Sequence, residues 1–117
     1  MNICTSVQAA LLAFSAFPEL KHVILVDEDV DIFDTNDVLW AMNTRFQGDK
    51  DIITIPGVRC HPLDPSSNPA YSNSIRDIGI SCKTIFDCTV PFDQQSRFKR
   101  APFMEVDPTK WVPDYGK

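Results

Sequence analysis

Residues 22–34 read HVILVDEDVDIFD. An almost wholly apolar run, His22 to Val26, ends in the carboxylates Asp27, Glu28, Asp29, Asp31 and Asp34. A short continuous apolar run of this kind is the pattern of a strand covered on both faces. Asp34 is placed to cap a following helix, with Asp37 in its first turn, where a carboxylate meets the positive end of the helix dipole. That helix spans roughly residues 35–46 and turns Val38, Leu39, Met42 and Phe46 toward a core, with Gly48 as its stop.

Val7, Ala10, Leu11, Phe14 and Phe17 recur at helical spacing before this stretch, and Pro18 ends that helix at or near Phe17. After it, DIITIP is a second buried strand closed by Pro56-Gly57, and KTIFDCTVPF supplies a third over about residues 83–89. Helix, strand, helix, strand in this order implies a parallel sheet with helices packed on it. The expected fold class is therefore α/β, with a small, mainly parallel sheet and flanking helices. The order opens on a helix and three strands make a thin sheet, so the expected unit is a partial three-layer domain of a larger protein. Residues 1–92 make that domain. Residues 93–117 make a tail of mixed charge, proline and aromatics, whose Phe98, Phe103, Trp111 and Tyr115 have no obvious core and are expected to pack on a neighbouring domain or subunit. Residues 57–81 hold Pro62, Pro65, Pro69 and two glycines without periodicity, and a loop this long in a compact domain is functional or mobile.

Composition narrows the classes of partner. The 117 residues are 44% hydrophobic and 23% charged, ordinary for one globular domain, and the net charge is −5. That charge argues against binding a nucleic-acid backbone or an anionic membrane surface. No apolar run approaches a membrane span. The opening MNICTSVQAALLAFSAF resembles a signal peptide only superficially, since no Lys or Arg precedes its apolar part. Cys4, Cys60, Cys82 and Cys88 include no Cys-x-x-Cys pair, which argues against structural zinc, and without a secretory signal they read as reduced thiols of a cytoplasmic protein.

Several residues are candidates for chemistry. Asp27, Asp29 and Asp31 have the look of the Asp-x-Asp that holds a divalent ion in nucleotide-sugar transferases, but the same acids suit helix capping, solvation or pairing with Lys and Arg. Arg59, Cys60 and His61 follow the second strand at the end where open α/β sheets bind ligands. Adjacency in sequence does not bring a thiol and an imidazole face to face, so a loop histidine bonded to backbone is the plainer reading. His22 has no claim beyond packing. Lys83, at the start of the third strand, either reaches an anionic cofactor or substrate or is a solvated strand-end lysine. With four glycines in all, neither a P-loop nor a dinucleotide-binding fingerprint is present.

Four motifs in order carry a family resemblance: the acidic loop, NDVLWAMNTR (residues 36–45), HPLDPSS (61–67) and KTIFDCTVPF (83–92). From about residue 7 to 113 the chain resembles the carboxy-terminal domain of the UbiD-type decarboxylases, and RAPFMEVDPTKW looks most like the branch acting on gallate, protocatechuate and related hydroxybenzoates. The resemblance implies non-oxidative decarboxylation of hydroxyaryl acids such as gallate, protocatechuate or 4-hydroxybenzoate. It implies prenylated FMN with manganese or magnesium and potassium, bound mainly by regions absent from this chain. The family's Glu-Gly-Pro-Phe-Gly-Glu signature, its catalytic network and its metal ligands lie outside these residues. The resemblance thus leaves no catalytic and no metal-binding residue here, and the chain is expected to be inactive alone. Its implied partners are an amino-terminal catalytic domain, further copies in a homo-oligomer and a small aromatic acid. Lys83 matches a lysine contacting the flavin. Asp87 and Thr89 share its face of the strand and are expected to line the substrate pocket. The acidic loop is left with structural work. Two alternatives stand beside this reading: an assembly module without chemistry of its own, and an Asp-x-Asp metal-dependent transferase fragment.

Overall fold

The computed structural model describes residues 3–70, 78–102 and 104–116, with side chains from Thr5 onward. The expectations for Cys4, for Phe103 and for residues 71–77 of the long loop lie outside the described residues. The elements are helix α1 (Ile3–Ala16), strand β1 (His22–Val26), helix α2 (Thr35–Thr44), strand β2 (Ile52–Arg59) and strand β3 (Ile80–Cys88), with short 3-10 turns at Pro65–Ser67, Phe92–Arg97 and Pro108–Lys110. The domain is α/β, with helices on both faces of one three-stranded sheet.

β3 is the central strand, in the order β1-β3-β2. Alternate side chains of β3 enter two cores, as the period of a strand requires. Ile85 is fully buried against Ala10 and Phe14 of α1, with Val23, Leu25 and Ile55 around it. Cys88, on the opposite face, is fully buried beside Val30 of the acidic loop and Ala41 of α2, with Val26, Phe46 and Phe86 packed on them. Asp34 caps α2 as expected, accepting from the Asn36 N–H at 3.0 Å. The helix is shorter than its apolar pattern suggests: Arg45 closes it by donating its N–H to the Ala41 carbonyl, and Gly48 plays no capping part.

The sheet is mixed. β1 runs parallel to β3, with Ile24 opposite Phe86, whereas β2 runs antiparallel, with Ile53 opposite Ile85. Helix–strand alternation led to the expectation of parallel neighbours, but β3 takes the place beside β1, and the loop after β2 returns the chain in the opposite direction. Pro56-Gly57 does not end β2. The register shifts between Ile55 and Val58, and the strand continues to Arg59. This is a bulge: Gly57 adopts φ 69°, open to glycine at little cost, and Pro56 needs no ladder N–H there. Nor are the outer strands buried on both faces. Ile24, Ile52 and Ile53 stay substantially exposed, because β1 and β2 are both edges.

The contrast between centre and edge is measurable. Ile85→Ala, which removes buried methyl groups beneath α1, is expected to cost about 2–5 kcal/mol. Ile53→Ala on β2 is expected to cost under about 1 kcal/mol. Urea unfolding of the two variants checks this, and equal losses would contradict the central placement of β3.

Candidate functional site

The acidic loop is a network built on two arginines. Arg45 is buried at the end of α2 and donates to Asp27 Oδ2 at 3.1 Å and, with both terminal nitrogens, to Asp29 at 2.8 and 2.7 Å. A fourth bond reaches the Phe98 carbonyl at 3.0 Å. Asp27 is itself buried and accepts the Val90 N–H at 3.0 Å, joining the exits of β1 and β3. Arg100 spans Asp37 (2.9 and 2.7 Å) and the Asp29 carbonyl (2.9 Å). The Trp40 ring has both guanidinium groups against it, at 4.9 Å for Arg45 and 4.4 Å for Arg100. The Arg45 hydrogen bonds hold the Asp29 carboxyl below its usual range. The Asp31 N–H does the same for Asp37, helped by Arg100. Asp31 also accepts from the Phe33 N–H. With Asp27 and Asp29 occupied by Arg45, the metal-transferase alternative loses its first two ligands.

Lys83 is on the α1 face of β3 and 6% exposed. Its ammonium donates to the Pro18 carbonyl at 2.6 Å and to the Leu20 carbonyl, and stands 5.1 Å from the Phe14 ring centroid. It is not a solvated strand-end lysine. It fastens the turn between α1 and β1 through the Pro18 and Leu20 carbonyls.

Asp87 sits on the same face at the other end of β3, with Ile85 between. Its Oδ1 accepts from the N–H (3.1 Å) and Oγ1 (2.6 Å) of Thr89, and its Oδ2 from Ser6 Oγ of α1 (3.3 Å). Asp87 and Thr89 border a cleft of about 290 Å³ that Lys50, Asp51 and Ile53 complete from the start of β2. Cys88, pointing to the other face, is pushed up to about 11 by burial and by the nearby Asp87 and Asp51 charges, so its thiol is inert.

HPLDPSS forms a braced loop. Lys21 pairs with Asp64 at 2.8 Å, Ser66 donates to Asp64 from its Oγ and its N–H, and these bonds draw the Asp64 carboxyl down to about 2. His61 Nδ1 accepts from the Leu63 N–H at 3.0 Å, while the Cys60 thiol points to the His61 carbonyl at 3.7 Å. No nucleophile–base pair forms between them. His22 packs edge-on to Phe86 with ring centroids 5.9 Å apart.

These motifs have counterparts in known proteins. A sequence profile of the 3-octaprenyl-4-hydroxybenzoate carboxy-lyase C-terminal domain, UbiD_C, matches residues 5–88. The chain belongs to the UbiD_C family. It is 65% identical over 100 residues to gallate decarboxylase of Lactiplantibacillus plantarum, a match covering 85% of this chain and 20% of that enzyme. The apo structure of a 3,4-dihydroxybenzoic acid decarboxylase from Enterobacter cloacae superposes with a TM-score of 0.75 at 66% identity, over 93% of this chain and 22% of that one. HmfF from Pelotomaculum thermopropionicum, a UbiD-class enzyme in complex with FMN, gives a TM-score of 0.72 at 30% identity, over 98% of this chain and 24% of that one. The chain spans about a fifth of the length of the curated relatives it matches.

The UbiD_C domain brings Asp87 and Thr89 to one cleft and keeps Lys83 away from it, under the far end of α1. Reading the sequence did not find Arg45 or Arg100 as the partners of the acidic loop, nor Lys50 and Asp51 beside Asp87. The one available signal for Arg45 was its place at the end of an amphipathic helix directly after a carboxylate-rich turn.

Two outcomes follow from these charges. Arg45→Met leaves Asp27 buried without its cation and is expected to cost about 3–5 kcal/mol, far beyond the exposed Arg97→Met, by urea unfolding. The Asp64 carboxyl is depressed in the folded chain, so its contribution to stability is present above the ordinary value of 3.8 and lost as pH falls through about 2. Lys21→Met is expected to flatten that acid limb. Unfolding midpoints at closely spaced pH values between 5 and 2 test it, and an unchanged acid limb would show that Lys21 does not govern Asp64.

Proposed function

We propose that this chain is the carboxy-terminal part of a non-oxidative decarboxylase of hydroxyaryl acids such as gallate, protocatechuate or 4-hydroxybenzoate. The observation that carries this reading is the 65% identity to gallate decarboxylase, supported by the 66% identity to the 3,4-dihydroxybenzoic acid enzyme. The activity belongs to a longer assembly. The radius of gyration is 19.2 Å, where a compact domain of this length has about 13 Å, so much of the chain lies away from its own core. Met104, Trp111 and Tyr115 are exposed in the tail, and we assign residues 93–117 to contacts with a neighbouring domain or subunit of a homo-oligomer. The free thiols Cys60, Cys82 and Cys88 suit a reducing cytoplasm. No described helix is long and apolar enough to cross a membrane.

The cofactor of this reading is prenylated FMN with manganese or magnesium and potassium, and when bound it supplies the means of stabilising the aryl carbon as carbon dioxide leaves. The chain's own donors fit a contact to such a group rather than a cradle for it. Lys83 has three N–H donors, two of them given to Pro18 and Leu20, which leaves one for an anionic cofactor. The metals are assigned to the remainder of the protein. Asp87 and Thr89 are assigned to the substrate pocket, where acceptors select phenols by hydrogen bonding.

The test is a chimera in which this chain replaces the matching carboxy-terminal segment of the Enterobacter cloacae enzyme. Carbon dioxide release from protocatechuate or gallate is expected from the chimera and not from the isolated chain. A folded, cofactor-loaded chimera without activity would overturn the reading. In the active chimera, Lys83→Met keeps most of the side chain's reach and removes the charge, with an expected loss in cofactor affinity of about ten- to a hundredfold. Normal occupancy with a lowered melting temperature would make Lys83 a fastening of the α1–β1 turn and nothing more.

A further inference from the structure

We propose that the cleft at the carboxyl end of β3 takes the hydroxylated edge of the aromatic ring, not its carboxylate, and that Lys50 is the residue that selects for it. The proposal deepens the decarboxylase reading above and rests on it. The cleft, about 290 Å³, has room for one ring. Val7 of α1, Ile53 of β2 and Pro91 after β3 supply apolar surface for the ring faces.

Its polar groups set the orientation. Thr89 Oγ1 gives its proton to Asp87 Oδ1 at 2.6 Å, so toward any ligand it acts only as an acceptor. Asp51 and Asp87 are acceptors as well, and Asp51 is held by the Gln47 N–H at 2.7 Å. Among the described residues the one cation lining the cleft is Lys50. Its backbone is fixed because the N–H groups of Lys50 and Asp51 both donate to the Gln47 carbonyl, at 3.0 and 2.8 Å. Among the described residues no side-chain hydrogen bond or ion pair engages the Lys50 ammonium. Two carboxylates against one ammonium leave the cleft acidic. An arenecarboxylate entering acid-first brings only acceptors and meets like charge. Two adjacent phenolic hydroxyls bring two donors, enough for two of the three acceptors Asp51, Asp87 and Thr89, and an oxygen for Lys50. The carboxyl group of a dihydroxyaryl acid then points out of the cleft.

The intact chain can be tested without flavin or metal. Isotope-labelled protein is titrated with catechol and, separately, with benzoate, each to about 20 mM, a range suited to ligands of so few atoms. Catechol is expected to shift the amides of Val7, Ile53 and Thr89 saturably, and benzoate to bind about tenfold or more weakly. Lys50→Met is expected to weaken catechol about tenfold, and Lys50→Arg to restore most of it. Lys50 is exposed, so neither change threatens the fold. Benzoate binding as tightly as catechol overturns the orientation. Catechol binding unaltered in Lys50→Met overturns the role of Lys50, and the absence of saturable shifts overturns the site. An active chimera with a cleft blind to catechol removes this inference alone, whereas an inactive chimera removes the decarboxylase reading beneath it.

Discussion

Arg45 carries its charge into the interior at the end of α2, where Asp27 and Asp29 meet it at 3.1 and 2.7 Å. Burying a cation and an anion is costly unless geometry and hydrogen bonding are nearly complete, and here they are not quite complete: among the described residues the buried Arg45 Nε has no partner. An apolar replacement of the whole group would rival it in stability. What it supplies is definition. Asp27 comes from the exit of β1, the Val90 N–H it accepts from the exit of β3, Arg45 from the end of α2 and the Phe98 carbonyl from the following segment. Four parts of the chain are thus joined through one guanidinium and the carboxylate of Asp27. Arg100 also lies against the Trp40 ring and binds Asp37, which holds the first residues of the tail to α2.

The second constraint is the cover that α1 lays over β3. Lys83, Ile85 and Asp87 share a face, and Ala10 and Phe14 close on Ile85 in the middle. Lys83 is left under Pro18 and Leu20 at one end, and Asp87 under Ser6 at the other. Four strand residues span roughly 13 Å, longer than a single aromatic ring. One hydroxyaryl acid therefore cannot touch both while α1 stays in place. The cleft beside Asp87, at about 290 Å³, has room for one ring.

Much of this was legible from short-range patterns. The capping aspartate, both helices, the strand positions and the family motifs all follow from local periodicity and residue type. Pairing direction was not legible, because alternation of helices and strands does not say which strand takes the centre. β3 does so because it alone buries both of its faces, a property of three-dimensional packing rather than of its sequence pattern, which looks less apolar than HVILV. Pro56-Gly57 was read as a stop because proline lacks the N–H that a ladder needs; at an edge no such N–H is required, so the strand continues through a bulge. The arginine partners of the acidic loop lie 16 to 18 residues away for Arg45 and 63 residues away for Arg100 from Asp37, beyond any local rule. Separation in sequence likewise hid Lys50 and Asp51 from Asp87.

The edges of the sheet bear on how the rest of such a protein meets this domain. Both outer strands carry unpaired backbone groups, which ordinarily invite another strand. β2 is interrupted by its bulge and by Pro56, so a strand added there would find its ladder broken within eight residues. β1 is five residues long and runs directly into the buried Asp27 and the Arg45 network, which turns the chain away. Neither edge offers a continuous template. The exposed apolar side chains beside them, Ile24 on β1 and Ile52 with Ile53 on β2, instead suit cover by side-chain packing from a neighbouring domain.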